Sequence, residues 1–441
     1  MAAMAAQAAA HLLADGPLNQ LFKDKATEQY TEKITFSAMV HFMGDVVLGS
    51  TYSLSATYEA RREQLVASLS AVYEKLKNMS PHISAALVAH ISARARSVMS
   101  SWKQPYASPL KGYRLRILDG NHQAATDRRL NVIRASSAGP LPSMALVIYD
   151  PVWDLPVAMI PSEDAYAQER AFSSEVLALA EPDDLWLADR NFCTTRLLIG
   201  FMQRSAKFLV REHANAPVEG RGPWKSLPAR PDVEEQEAVL IDDEGRAWPV
   251  RRIRIRLSEP TKDGDREILL LSSVPASSAT AAELAELYRT RWKLEKAFAR
   301  MERFLNCELK SLGHPRAALF AFAVGLGAYS LVAVLQAALT EAHGEGTAEQ
   351  LSWQKIIHET EKTSSDIRDM VGEKMAIGWG RAKPMQVAAA LLLIARSVEI
   401  RKYYKVVKKK ATKPAVKRAR FKNRRHVSTY RLLIGKPQRY S

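Results

Sequence analysis

The stretch Ala317–Leu335 runs for 19 residues without a single charge, and this constrains the fold more than any other feature. That length of uninterrupted apolar chain can span a bilayer, or it can form a helix that is buried all round at the centre of a large domain. Gly325 and Gly327 interrupt it, it follows directly on a strongly charged helical stretch, and the chain has no second segment like it. We therefore expect a buried core helix and no membrane association. With 441 residues and 47% apolar side chains, the chain can build such a core and has room for two or three domains.

The charge is placed unevenly. Residues 401–441 hold 16 of the 63 Lys and Arg and none of the 47 Asp and Glu, so the rest of the chain is neutral and the C-terminal tail carries the whole net charge of +16. An acid-free basic tail is drawn to a polyanion, and nucleic acid releases counterions when its phosphates are neutralised. Lys408, Lys409 and Lys410 are the densest cluster in it. A solvated tail with no specific partner is the alternative. Only Cys193 and Cys307 occur, too few for a disulfide framework or a cysteine zinc site, and this fits a reducing cytosol. The histidines are scattered with no HExxH. The alanine-rich N-terminus lacks the charged start and cleavage pattern of a signal peptide.

Residues 1–105 read as helical, with helical spacing over Ala56–Leu76 and Ile83–Met99 and no helix-turn-helix signature. From 106 to 211 the pattern changes. Leu115–Leu118, Ala145–Tyr149, Pro156–Ile160, Asp184–Ala188 and Lys207–Val210 read as strands, with helices over Asp164–Leu179 and Thr195–Arg204, which predicts an α/β sheet with helices on its faces. Residues 212–275, rich in Pro, Gly, Arg and Glu, read as a β insertion with short pieces at Ala238–Ile241, Trp248–Ile255 and Ile268–Leu271. From Ala279 to about residue 400 the chain is helical.

Three acidic residues stand out by position. Asp119 ends the apolar run Leu115–Leu118 and is followed by Gly120-Asn121. Asp189 ends Leu185–Ala188 and is followed by Arg190-Asn191-Phe192. Open α/β sheets place ligand sites at such strand ends, although a lone aspartate there also caps turns. The third element is the helix that begins at Tyr288-Arg289-Thr290-Arg291-Trp292-Lys293-Leu294-Glu295. At about 100° per residue, Tyr288, Arg291, Glu295 and Glu302 share a polar stripe beside an apolar one of Leu287, Leu294, Phe298, Met301 and Leu305. The apolar stripe would seat the helix on the sheet. On the helix alone, Arg291–Glu295 also reads as an ordinary i,i+4 surface pair.

Together these segments resemble the DDE transposases of bacterial insertion sequences, in the large family numbered four. Asp119-Gly120, Asp189-Arg190-Asn191-Phe192 and Tyr288-x2-Arg291-x3-Glu295 follow that family's motifs in order, and the β insertion lies where that family has one. The resemblance departs at Glu302, where the motif has lysine, and at Asn121 and Asn191. Lys296, Arg300 and Arg303 lie near the position of the missing lysine.

The resemblance implies an RNase H-like mixed sheet with flanking helices (106–211 plus 276–400), interrupted by the insertion (212–275), preceded by the helical N-terminal domain (1–105) and followed by the basic tail (401–441). It implies a cut-and-paste transposase that works through a DNA hairpin, with Asp119, Asp189 and Glu295 as catalytic residues holding two Mg2+ ions, for which Mn2+ can substitute. Tyr288, Arg291, Arg190, Lys296 and Arg300 would contact DNA, with Trp224 or Trp248 holding a flipped base. The partners implied are double-stranded DNA at terminal inverted repeats, target DNA and a second copy of the chain in a synaptic complex, in the bacterial cytoplasm. A non-catalytic DNA-binding derivative and a metal nuclease without strand transfer stay open on the sequence.

Overall fold

The computed structural model describes residues 1–26, 34–49, 53–63, 65, 67–103, 106–123, 139–261, 264–309, 312–360, 378–406 and 426–437. Its frame is a sheet of nine strands. These are β1 (Arg114–Gln123), β3 (Ser143–Asp150), β4 (Leu155–Ser162), β5 (Asp184–Ala188), β6 (Lys207–Arg211), β7 (Val218–Leu227), β8 (Arg230–Ile241), β9 (Ala247–Arg256) and β10 (Glu267–Ser272), in the order β4-β3-β1-β5-β6-β10-β9-β8-β7. β4, β3 and β1 pair antiparallel, and β1, β5 and β6 pair parallel. This is the RNase H-like arrangement of five strands, and the insertion continues the same sheet through the antiparallel pair β6–β10.

Alternation along the strands divides the core in two. On β3, Ala145, Val147 and Tyr149 join one apolar cluster while Met144, Leu146 and Ile148 join the other, as the two-residue period of a strand requires. The second face is covered by α7 (Ser173–Ala178) and α8 (Thr195–Gln203), where Trp186 of β5 stacks on Phe201 at 5.0 Å. The first face meets the helical side of the molecule. There α11 (Pro315–His343) buries every residue from Ala317 to Leu335, and it is long and apolar enough to cross a membrane by length and composition alone. Two glycines let its neighbours approach. A Cβ at 325 would lie 2.5 Å from the Cys307 Cβ, and one at 327 would lie 2.6 Å from Ile91 Cδ1.

The N-terminal residues fold as α1 (Ala2–Leu12), α2 (Asp15–Lys25), α3 (Phe36–Leu48), α4 (Leu54–Ala60), α5 (Leu69–Lys77) and α6 (Pro81–Met99). The expected helix over Ala56–Leu76 is two helices, α4 and α5. Ser53 and Ser68 cap each start with a side chain that accepts a backbone N–H. α6 packs on both α11 and β4, so the apolar cluster runs without a break from Met4 to Ala395. The expected helix over Asp164–Leu179 is also shorter: a 3₁₀ turn at Glu169–Phe172 leads into α7.

The Arg and Glu of the insertion pair across strands. Arg252 binds Glu212, Arg254 and Arg256 bind Glu234, and Arg251 binds Glu235. The tail is not wholly free. Ser352 donates its backbone N–H to Tyr403, and β11 (His426–Ser428) pairs in parallel with β2 (Gly139–Leu141). Ser428 and Arg431 both bond Asp164, each at 2.8 Å. Residues 426–437 of the basic tail therefore return to the body, and Lys408, Lys409 and Lys410 lie outside the described residues.

Candidate active site

β1 and β5 are parallel and their last paired residues are Leu118 and Ala188. The next residues on the two strands are Asp119 and Asp189, so the pairing sets them side by side. β5 ends there: the Asp189 side chain accepts the Asn191 backbone N–H at 2.8 Å and caps a 3₁₀ turn, Arg190–Phe192, anchored by buried Phe192. β1 does not end. The strand end expected at Asp119 is not there, because the strand continues to Gln123 with β3 as its partner and Asp119 opposite Val147. The Asp119 carboxylate accepts the Gly120 N–H at 3.0 Å.

The third acidic residue arrives on a jointed helix. α9 (Ala281–Tyr288) opens with a Thr280–Glu283 capping box and ends at Tyr288, a 3₁₀ turn covers Arg289–Arg291, and α10 (Trp292–Phe304) follows. Leu294, Ala297 and Met301 are buried, so the predicted apolar stripe seats α10. Glu295 lies in its first turn, where the helix dipole favours a carboxylate. Tyr288 donates its hydroxyl to the Ala188 carbonyl at 3.2 Å, fastening the joint to β5 beside Asp189.

Arg291 gathers the acids. Its guanidinium lies 2.7 Å from the Glu295 carboxylate and 3.6 Å from that of Asp119, and its side chain is only 12% exposed. The Arg291 side of its pair with Glu295 is buried while the Glu295 side chain is 37% exposed, so the pair stands at the open edge of the cluster. Burial works against the Arg291 charge, but Tyr288, Glu295, Asp119 and Asp189 outweigh it and hold the guanidinium above its ordinary pKa. Burial pushes the Asp119 carboxyl up to about 7. Arg291 and the Gly120 N–H oppose this, while Asp189 and Glu169 add to it. Among the described residues, no group of three or more carboxylate, His or Cys side chains stands close enough to hold an ion as the side chains lie.

Glu169 is the member of the cluster that the sequence did not reveal. It opens the 3₁₀ turn before α7, accepts the Asn191 side-chain amide at 3.3 Å, and fills the space where a Cβ at position 120 would stand. Gly120 was the one local signal, since only a residue without a side chain leaves that space. Burial and then Asp189 raise the Glu169 pKa, with Asn191 opposing.

The remaining predicted residues divide. Arg190 and Lys296 are exposed at the rim. Tyr288 faces inward, its hydroxyl given to Ala188, so it does not offer itself to a phosphate as expected; burial pushes it up to about 12. Arg300 is also committed. It bonds the Tyr329 hydroxyl, pairs with Asp154 at 3.6 Å and stacks over Trp353. Trp224 lies against the Arg254 guanidinium at 4.0 Å, and Trp248 donates to Asp242 and packs on the second core. Glu302 is exposed on α10. Trp292, which was not singled out in the sequence, is 51% exposed and lies beside Arg291.

Residues 142–331 match the family described as the transposase DDE domain. Over that span the chain is similar to transposase DDE domains. Asp189 and Glu295 lie within the matched span, and Asp119 precedes it on β1. A solved structure described as a cryo-EM structure of the piggyBac transposase synaptic complex with hairpin DNA is similar to this chain. The likeness has 11% identity and a TM-score of 0.39, over 87% of this chain and 82% of that one. No curated protein matches the chain.

Proposed function

We propose that this chain is a DDE transposase that cuts DNA at the ends of an insertion-sequence element and joins the freed ends to a target, with Asp119, Asp189 and Glu295 as its catalytic carboxylates. One observation carries the reading. Acidic side chains from β1 and from the first turn of α10 converge on the single guanidinium of Arg291, and Asp189, beside Asp119 just beyond β5, adds a longer-range attraction without an ion pair of its own. A structural ion pair needs one acid; this arginine pairs with two from separate elements.

The donor set suits divalent magnesium. All its members are carboxylate oxygens, which hard cations prefer, and the site already stabilises a positive charge in Arg291. Asp119, Asp189 and Glu295 would hold two Mg2+ ions, with Mn2+ able to substitute; when bound, the ions activate an attacking oxygen and stabilise a leaving one. The chain's own residues do the rest. Burial favours the protonated form of Asp119, and a cation held there would favour its carboxylate. Arg291 turns from its carboxylates to the scissile phosphate, and exposed Arg190 and Lys296 hold the flanking phosphates in register. Tyr288 keeps the α9–α10 joint against β5. Phosphodiester hydrolysis releases a 3′-hydroxyl, which then attacks the opposite strand to close a hairpin. After a second hydrolysis reopens the hairpin, the same hydroxyl attacks the target. Trp292, exposed beside Arg291, is the aromatic surface placed to receive a flipped base. Two element ends call for two sites, and hence for a homodimer on DNA, acting in the bacterial cytoplasm.

The test is incubation with Mg2+ and DNA that carries one terminal inverted repeat of the element. Joined products are expected. Nicks without joining would reduce the protein to a nuclease, and a mobility shift without cleavage would make it a DNA-binding derivative. Asp189→Asn and Glu295→Gln should each abolish cleavage while leaving end binding intact; full cleavage by either refutes the assignment.

A further inference from the structure

Glu169 has no part in the reaction as set out above, yet its carboxylate touches both segments that carry the aspartates. On one side it covers Gly120, the residue after Asp119, so closely that a Cβ there would lie 2.0 Å from its Oε1 and the carboxylate would have to swing aside. On the other it accepts the side-chain amide of Asn191, two residues beyond Asp189. The turn Glu169–Phe172 packs against the turn Arg190–Phe192. Among the described residues, burial first and then the Asp189 charge disfavour the Glu169 carboxylate, and the Asn191 amide favours it. A half-buried carboxylate beside two others is unfavourable for the empty fold. Its placement is understandable where a cation is to be received.

We propose that Glu169 is a positioning residue of the cation centre: it braces the Asp119 and Asp189 segments against each other and adds its negative charge to theirs, which sets how tightly a divalent cation is held. The proposal rests on the reading of Asp119, Asp189 and Glu295 as the cation ligands. It also accounts for Asn191, one of the positions at which the chain departs from the motif it resembles, as the donor that orients Glu169. Partners that orient metal ligands in this way are worth roughly 10–100-fold in metal affinity.

The experiment uses the full chain stripped with EDTA and titrated calorimetrically with Mn2+ alone, without DNA. Glu169→Gln keeps the shape and the acceptor for Asn191 but removes the charge. It should weaken Mn2+ binding by roughly 10–100-fold and raise the Mn2+ concentration that half-saturates cleavage, while the rate at saturating Mn2+ stays within a few fold of the native value. Native Mn2+ affinity in Glu169→Gln overturns the proposal. A collapse of the saturated rate overturns it too, because the residue would then act on the reacting atoms. Gly120→Ala, which displaces the carboxylate, should weaken Mn2+ binding in the native chain and have no further effect in a Glu169→Ala background; additive losses would count against the brace. Asp119→Asn isolates the underlying reading. If that variant binds Mn2+ as the native chain does, the assignment of the cation ligands fails whatever Glu169 does.

Discussion

Replacing Asp119 by asparagine should make the metal-free protein more stable at pH 8 and leave it nearly unchanged only below about pH 4. The native carboxyl is raised from 3.8 to about 7, by burial first, with Asp189 and Glu169 adding and Arg291 and the Gly120 N–H opposing. An acid whose folded pKa lies above its unfolded one binds its proton more tightly when folded. Between about pH 4 and pH 7 the native state therefore holds more protons than the unfolded chain, stability falls as pH rises through that window, and the cost is complete above about pH 7. A rise of about 3 pKa units at about 1.4 kcal/mol each sets a ceiling of ~4 kcal/mol. The side chain keeps 19% exposure, and water there screens the charge, which brings the expected cost to about 2 kcal/mol. Asparagine fills the same space without the charge and recovers that amount.

With an unfolding entropy of about 2.1 cal/mol/K per residue, a chain of 441 residues converts this into a rise in melting temperature of about 2 °C. Scanning fluorimetry of both proteins in EDTA, from below about pH 4 up to pH 8, reads it directly, with the difference opening through that window. Saturating Mn2+ at pH 8 should reverse the order, since only the native protein gains from binding. A variant that melts at or below the native temperature at pH 8 in EDTA would refute the reasoning, because the Asp119 charge would then be stabilising in its ion pair with Arg291.

Two further outcomes follow from the rim and the tail. Replacing Lys408, Lys409 and Lys410 together by glutamine should lower the slope of log K against log salt by about 3, at roughly 0.9 per lost phosphate contact, and equally for all DNA sequences; filter binding between low and moderate salt measures it, and an unchanged slope removes the tail from DNA contact. Trp292→Ala should lose hairpin products and keep nicking. Trp224→Ala should keep both, because that ring already lies against Arg254; denaturing gels of end-labelled DNA distinguish the two, and loss of hairpins in Trp224→Ala alone would reverse the choice.

What the sequence disclosed was what local pattern determines. Asp184–Ala188 is a strand with the bounds its apolar run suggested, and the spacing of Leu294, Met301 and Leu305 marks residues that are indeed buried. The charge-free segment is a core helix because neighbours from both ends of the chain bury it. What stayed hidden depends on partners distant in sequence. The apolar run reads as ending at Asp119, but β3 supplies a pairing edge that carries β1 on to Gln123. A helical wheel assumes one axis, whereas the motif from Tyr288 to Glu295 crosses a 3₁₀ joint that turns Tyr288 inward while Arg291 and Glu295 meet. Glu169 carries no periodic signal at all and becomes visible only once β1 and the turn after β5 are side by side. The tail reads as uniformly basic, and nothing in its composition marks Arg431 as a partner of Asp164.

The sheet also explains how a long insertion can separate the second and third acidic residues in sequence without separating them in space. Asp119 lies on β1 and Asp189 directly follows β5, at the centre of the five-stranded frame, where the parallel pairing that ends at Leu118 and Ala188 aligns them. The insertion leaves the chain after β6, at the edge of that frame, and adds β10, β9, β8 and β7 outward from it. New strands on an edge lengthen the sheet and leave its central register unchanged. The chain then comes back through α9, which packs on β6, β8 and β9, and Tyr288 closes the circuit by bonding to the last residue of β5. Glu295 is therefore placed by the strand that carries Asp189, not by the length or composition of what lies between. An insertion of different size should leave the site intact as long as Tyr288 can still reach Ala188.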